Sequence, residues 1–248
     1  MYLDNEIDVI EWISNGIDNC PTLLYDGNAF NKRIYHFVKH LNEFVSNNGH
    51  DALPPDFYSD KFSCMFDVMR INDSEVKRKY NPVKIRERGV EKEIEASGIL
   101  DKFKPNVNII INSASYDIRE HTMKNYRKNC NRVLAEHIKK IDIWKREHPN
   151  IRHKGLLIFD ETECYFELYN YFFATRKTLV LHKPWMDKSF IGDAYSSELD
   201  FIIWCCPYKS HGALWGETHY NYPELIILDT RYQRNKYIQY NGLRFQSM

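Results

Sequence analysis

The chain has 248 residues, a formal net charge of zero at pH 7, and 43% hydrophobic against 27% charged residues. That balance excludes a globally disordered chain and any overall electrostatic pull toward nucleic acid. No apolar run approaches the roughly 20 residues needed to cross a bilayer, and the acidic start Met1-Tyr-Leu-Asp-Asn-Glu-Ile-Asp8 lacks a basic-then-apolar leader.

Taken in chain order, residues 5–15 space Ile7, Ile10 and Ile13 for one helix face. Pro21 and Asp26-Gly27 break the chain. A longer amphipathic helix is expected over 28–46, with Phe30, Ile34, Phe37, Val38, Leu41, Phe44 and Val45 on one stripe. Asn47-Asn48-Gly49 and Pro54-Pro55 then mark a loop. Residues 62–71 read as a strand, and Glu75 to Tyr80 as its returning partner. A helix over 84–97 and a short buried strand over 107–112 follow.

The strongest periodicity runs from Tyr126 through Cys130, Leu134, His137 and Ile141 to Trp144, a helix over 122–147 with Thr122 able to cap it. His137 lies on that apolar stripe and reads as a hydrogen-bonded core histidine. Residues 155–159, 199–205 and 224–228 are continuous apolar strands, so both of their faces should be covered. Residues 178–182 form another strand. Helices alternating with buried strands predict an α/β protein with a mixed, helix-flanked central sheet. Residues 1–60 are expected as a helical segment packed on an α/β core of residues 61–248.

The six cysteines show no CxxC pair, which suits reduced, buried thiols in a cytoplasmic protein. Charge is unevenly spread. The stretch Lys77-Arg-Lys-Tyr-Asn-Pro-Val-Lys-Ile-Arg-Glu-Arg88 carries six basic residues and one acidic residue, and residues 119–154 carry eleven and four. Arg78, Lys79, Lys84, Arg86, Arg127, Lys128 and Arg132 are therefore candidates to hold a phosphate backbone.

Leu156-Leu-Ile-Phe-Asp160-Glu161 is a buried strand running into two acids, as in a magnesium-holding Walker B element. None of the ten glycines begins the phosphate-cradling loop that such a site requires. Asp160, Glu161, Asp229 and Asn112 all end apolar strands. Parallel strands would bring them together at one sheet edge, where oxygen ligands suit Mg²⁺.

A second constellation combines Asp67 with Glu75-Val76-Lys77. If residues 62–80 form a hairpin, Asp67 faces Glu75, and Lys77 shares that face. The arrangement resembles the active site of the PD-(D/E)XK nuclease superfamily, where an Asp and an E-x-K triplet on adjacent strands bind magnesium and activate a water. The resemblance implies a restriction-endonuclease-like core and phosphodiester hydrolysis. Asp67 and Glu75 would be metal ligands, and Lys77 would stabilise developing charge. A different threading keeps Asp67, puts 107–112 in place of the triplet strand, and continues with the helix 122–147 and the strand 155–160. It lacks the triplet and implies a relative that binds without cutting. Two readings thus stand: a magnesium-dependent nuclease or nucleic-acid-processing protein, and a non-catalytic intracellular or mobile-element protein that captures a protein or nucleic-acid partner.

Overall fold

A computed structural model describes residues 6–19, 22–24, 28–47, 54–73, 89, 92–94, 96–98, 121–170, 177–207, 209, 214–215, 218–219, 222–231 and 246–247. The strands, in chain order, are β1 (Thr22–Leu24), β2 (Val45–Ser46), β3 (Phe57–Ser59), β4 (Cys64–Ile71), β5 (His153–Asp160), β6 (Tyr165–Asn170), β7 (Lys177–Leu181), β8 (Phe201–Cys205), β9 (Leu214–Trp215), β10 (Thr218–His219), β11 (Leu225–Asp229) and β12 (Gln246–Ser247). The α-helices are α1 (Glu6–Gly16), α2 (Ala29–Val38), α3 (Met123–Ile138), α4 (Ile141–Glu147) and α5 (Lys188–Ser196).

Seven strands form a central mixed sheet in the order β1-β11-β8-β5-β4-β3-β2. β4, β5 and β8 are parallel, β11 runs against β8, and β3 runs against β4. Helices cover both faces. Side chains alternate along each strand, so Met65, Met69 and Ile71 of β4 join Leu156, Ile158, Ile202 and Trp204 beneath α3, α4 and α5. Phe66, Val68, Leu157, Phe159 and Ile203 pack on α1 and α2. Coverage on both faces explains the uninterrupted apolar runs of β5, β8 and β11. The first 60 residues supply α1 and α2, and also the sheet strands β1, β2 and β3. At Gly155 an added Cβ would lie 2.1 Å from the Phe201 ring, so β5 passes β8 where only glycine fits.

Two helices differ from expectation. The stripe read as one helix over 28–46 ends at Val38, passes through a 3₁₀ turn at Leu41–Glu43, and becomes β2. Pairing of Val45 and Ser46 with β3 overrides the helical period there. The helix expected over 122–147 is capped by Thr122 as anticipated, but breaks at Lys139-Lys140 into α3 and α4. Helix α5 carries no sequence expectation. Asp187 caps it, accepting from the Ser189 amide at 2.8 Å. The expected strands 75–80 and 107–112 lie outside the described residues. Of the helix expected over 84–97, residues 89, 92–94 and 96 are described and are helical. Among the described residues, five cysteines are free and buried, and no helix is long and apolar enough to cross a membrane.

Candidate functional site

Two polar clusters lie on the sheet face beneath α3. The first is built on the β3–β4 hairpin. Phe57 pairs with Phe66, so continuing the ladder by one step sets Asp56 opposite Asp67. The two acids interlock. Asp67 Oδ1 accepts from the Asp56 amide at 2.9 Å, and Asp56 Oδ2 accepts from the Val68 amide at 2.7 Å. Asp67 is fully buried, and its Oδ2 meets His137 Nδ1 at 2.7 Å and Lys140 Nζ at 3.8 Å. The break between α3 and α4 is what turns Lys140 toward the hairpin. The Lys140 side chain is 41% exposed, so the cluster opens to solvent on that side.

The electrostatics of the pair are unbalanced. Burial pushes the Asp56 carboxyl up to about 7, helped by the negative charge of Asp67 and opposed by the Val68 amide and His137. Two carboxylates sharing a partly buried site are what a divalent cation or a proton relieves. The donors are hard oxygens, the type that suits Mg²⁺, and this ion is commonly held by only one or two carboxylates together with water and substrate phosphate.

The second cluster sits at the carboxyl ends of β4, β5 and β8. Asp160 is completely buried and saturated. Its Oδ2 accepts from Tyr126 and from Trp204 Nε1 at 3.0 Å, and lies 3.4 Å from Lys209 Nζ. Its Oδ1 accepts from the Thr162 amide at 3.1 Å and the Thr162 hydroxyl at 2.8 Å. Lys209 also donates to Thr162 and to the Glu163 carbonyl at 2.8 Å. Beside it, His121 Nδ1 meets Asp73 Oδ1 at 2.6 Å, and Tyr165 donates to Asp73 Oδ2. Burial, and then the Asp160 charge, holds the Tyr126 phenol well above its ordinary value, so the hydroxyl stays a donor.

The strand-end acids do not converge. Asp229 pairs with Phe201, which pairs with Gly155, so Asp229 is level with the start of β5 while Asp160 is at its end. β11 runs against β8, and an acid that closes an antiparallel strand emerges at the opposite edge. Asp229 is bound instead by Arg231, with Nε at 3.1 Å. Glu161 pairs with Arg70, whose Nε lies 2.8 Å away. A metal shared by Asp160 and Asp229 is therefore ruled out by topology. Among the described residues, no group of three or more His, Cys, Asp or Glu side chains could hold a metal ion.

Glu75, Lys77, Arg78, Lys79, Lys84, Arg86 and Asn112 lie outside the described residues. Arg127, Lys128 and Arg132 are exposed on α3, and Arg132 pairs with Glu136 at 3.0 Å. Asp56 and Lys140 have no place in the sequence reading. The signal for Asp56 was present in Pro55-Asp56, eleven residues before Asp67, with an aromatic pair after it and a turn at 60–63. Lys140 carried no local signal, because its position depends on the helix break. Comparison with protein families, curated proteins and solved structures finds no match to the chain.

Proposed function

We propose that this chain is a magnesium-dependent phosphodiesterase acting on nucleic acid, a variant of the PD-(D/E)XK arrangement centred on Asp56 and Asp67. The observation that carries the reading is the interlocked carboxylate pair on adjacent antiparallel strands, with Lys140 Nζ 3.8 Å from Asp67. Pro55 stands before Asp56, and a helix and a strand parallel to β4, α3 and β5, come later in the chain. Asp56 and Asp67 would hold the ion, which when bound would supply an activated water and neutralise charge on the phosphate. Lys140, close to Asp67, would take the triplet lysine's role and stabilise developing negative charge. His137 orients the Asp67 carboxylate through its 2.7 Å contact. The exposed cations Arg127 and Lys128 on α3 would seat the phosphate backbone.

One observation favours the second reading, a relative that binds nucleic acid without cutting. Met69 occupies the β4 position two residues after Asp67, where the motif has lysine, and it is buried in the core. The deciding experiment incubates the full chain with end-labelled single- and double-stranded DNA and RNA in Mg²⁺ or Mn²⁺, alongside Asp56→Asn, Asp67→Asn and Lys140→Ala. Cleavage by wild type that all three variants lose supports the enzyme. Retention of the oligonucleotide without cleavage supports the binding protein. Cleavage that is unchanged in Asp67→Asn refutes the site.

A further inference from the structure

We propose that His36 and His40 form a separate metal site on α2, for a transition cation of the zinc and copper class. The two histidines are four residues apart and so lie one above the other on a helix face. Their ring centroids are 4.6 Å apart, with planes inclined at 38°. His36 is exposed, and the side chain of His40 is 39% exposed.

The rings are held in place before any ion arrives. Both lie against Phe62, with centroids at 6.0 Å and 5.8 Å. Phe62 is fixed in turn by Phe37 at 5.3 Å and by Phe44, stacked at 5.6 Å. An aromatic wall of this kind reduces the conformational freedom that binding must remove. His40 Nδ1 meets Glu43 Oε1 at 2.9 Å, and Glu43 Oε2 meets Lys61 Nζ at 2.5 Å. The carboxylate favours the tautomer with the proton on Nδ1, which leaves the Nε2 lone pair of His40 available to an ion. Carboxylate support of this kind orients metal-binding histidines. Two neighbouring cations are themselves paired, Lys61 with Glu43 and Lys39 with Asp18 at 2.6 Å.

Two imidazoles suit zinc, copper or nickel and leave the remaining coordination positions to water or a ligand. Magnesium prefers oxygen donors. The α2 site and the Asp56–Asp67 pair therefore draw on different ions and stand or fall separately.

The test is calorimetric titration of the full chain with Zn²⁺ in excess Mg²⁺, with His36→Ala, His40→Ala, Glu43→Gln and Asp67→Asn in parallel. Thermal unfolding checks that each variant is folded. One-to-one binding by wild type is expected, and Asp67→Asn should leave it unchanged. Each histidine variant should lose at least tenfold in affinity, and Glu43→Gln should lose about 10- to 100-fold, the usual effect of removing an outer-shell partner. Wild type that fails to bind overturns the proposal. So do histidine variants that bind as tightly as wild type, or a loss confined to one of the two histidines.

Discussion

The two polar clusters beneath α3 each place a fully buried aspartate on the same sheet face, yet they are built on opposite principles. Asp160 accepts from Tyr126, Trp204 and Thr162 and lies beside Lys209, so its charge is compensated on both oxygens. Asp67 instead faces a second acid, Asp56, whose carboxyl is pushed up to about 7. A saturated buried network specifies structure. An unbalanced acid pair reached from solvent beside Lys140 is of the kind that concentrates at functional sites. The position favoured by the general rule for α/β sheets, outside the carboxyl ends of the parallel strands, is here filled by the structural cluster.

The sharpest way to break this contrast is Asp160→Ala. Removing the shared acceptor takes one partner from Lys209 and leaves four other donors in the core without it, and should destabilise the fold by about 3–5 kcal/mol, measured by urea unfolding. A loss under about 1 kcal/mol would mean that the network is not structural. Asp67→Asn should have the reverse profile. The proposed cleavage should fall at least about a hundredfold, while the unfolding midpoint moves little.

Asp56→Asn gives a subtler separation. The folded state holds the Asp56 proton more tightly than the unfolded chain, because its pKa is raised from 3.8 to about 7. Stability from this group therefore falls as pH rises through that window and is level above it. The Asn variant should flatten that slope, and should be more stable than wild type at pH 8 by on the order of 1 kcal/mol. Equal slopes for the two proteins would show that burial and Asp67 do not raise the Asp56 carboxyl. The smallest effect belongs to α3. Arg127→Ala and Lys128→Ala should each reduce the salt dependence of oligonucleotide binding by about one phosphate contact, read by fluorescence anisotropy across a salt series. Unchanged slopes would remove α3 from the interface.

Much of the scaffold was legible from the chain alone. The apolar runs at 155–159, 199–205 and 224–228 appear as β5, β8 and β11, and Thr122 caps α3 as its position suggested. Those features depend on local propensity and periodicity, which neighbouring residues carry. Asp67 lies on the strand expected over 62–71, which appears as β4. Its described partners were not foreseen. Asp56 sits beside a strand of only three residues in a stretch that reads as loop, and Lys140 sits inside a helix whose break no local residue announces.

Hydrophobic periodicity is written residue by residue, and it was enough to set the mixed α/β class and the placement of buried strands. Which acids meet depends on contacts between elements far apart in the chain. A strand ending in Asp tells where the chain reaches water, but the edge at which it does so depends on strand direction. That direction separates Asp229 from Asp160, and the short β3–β4 hairpin brings Asp56 to Asp67.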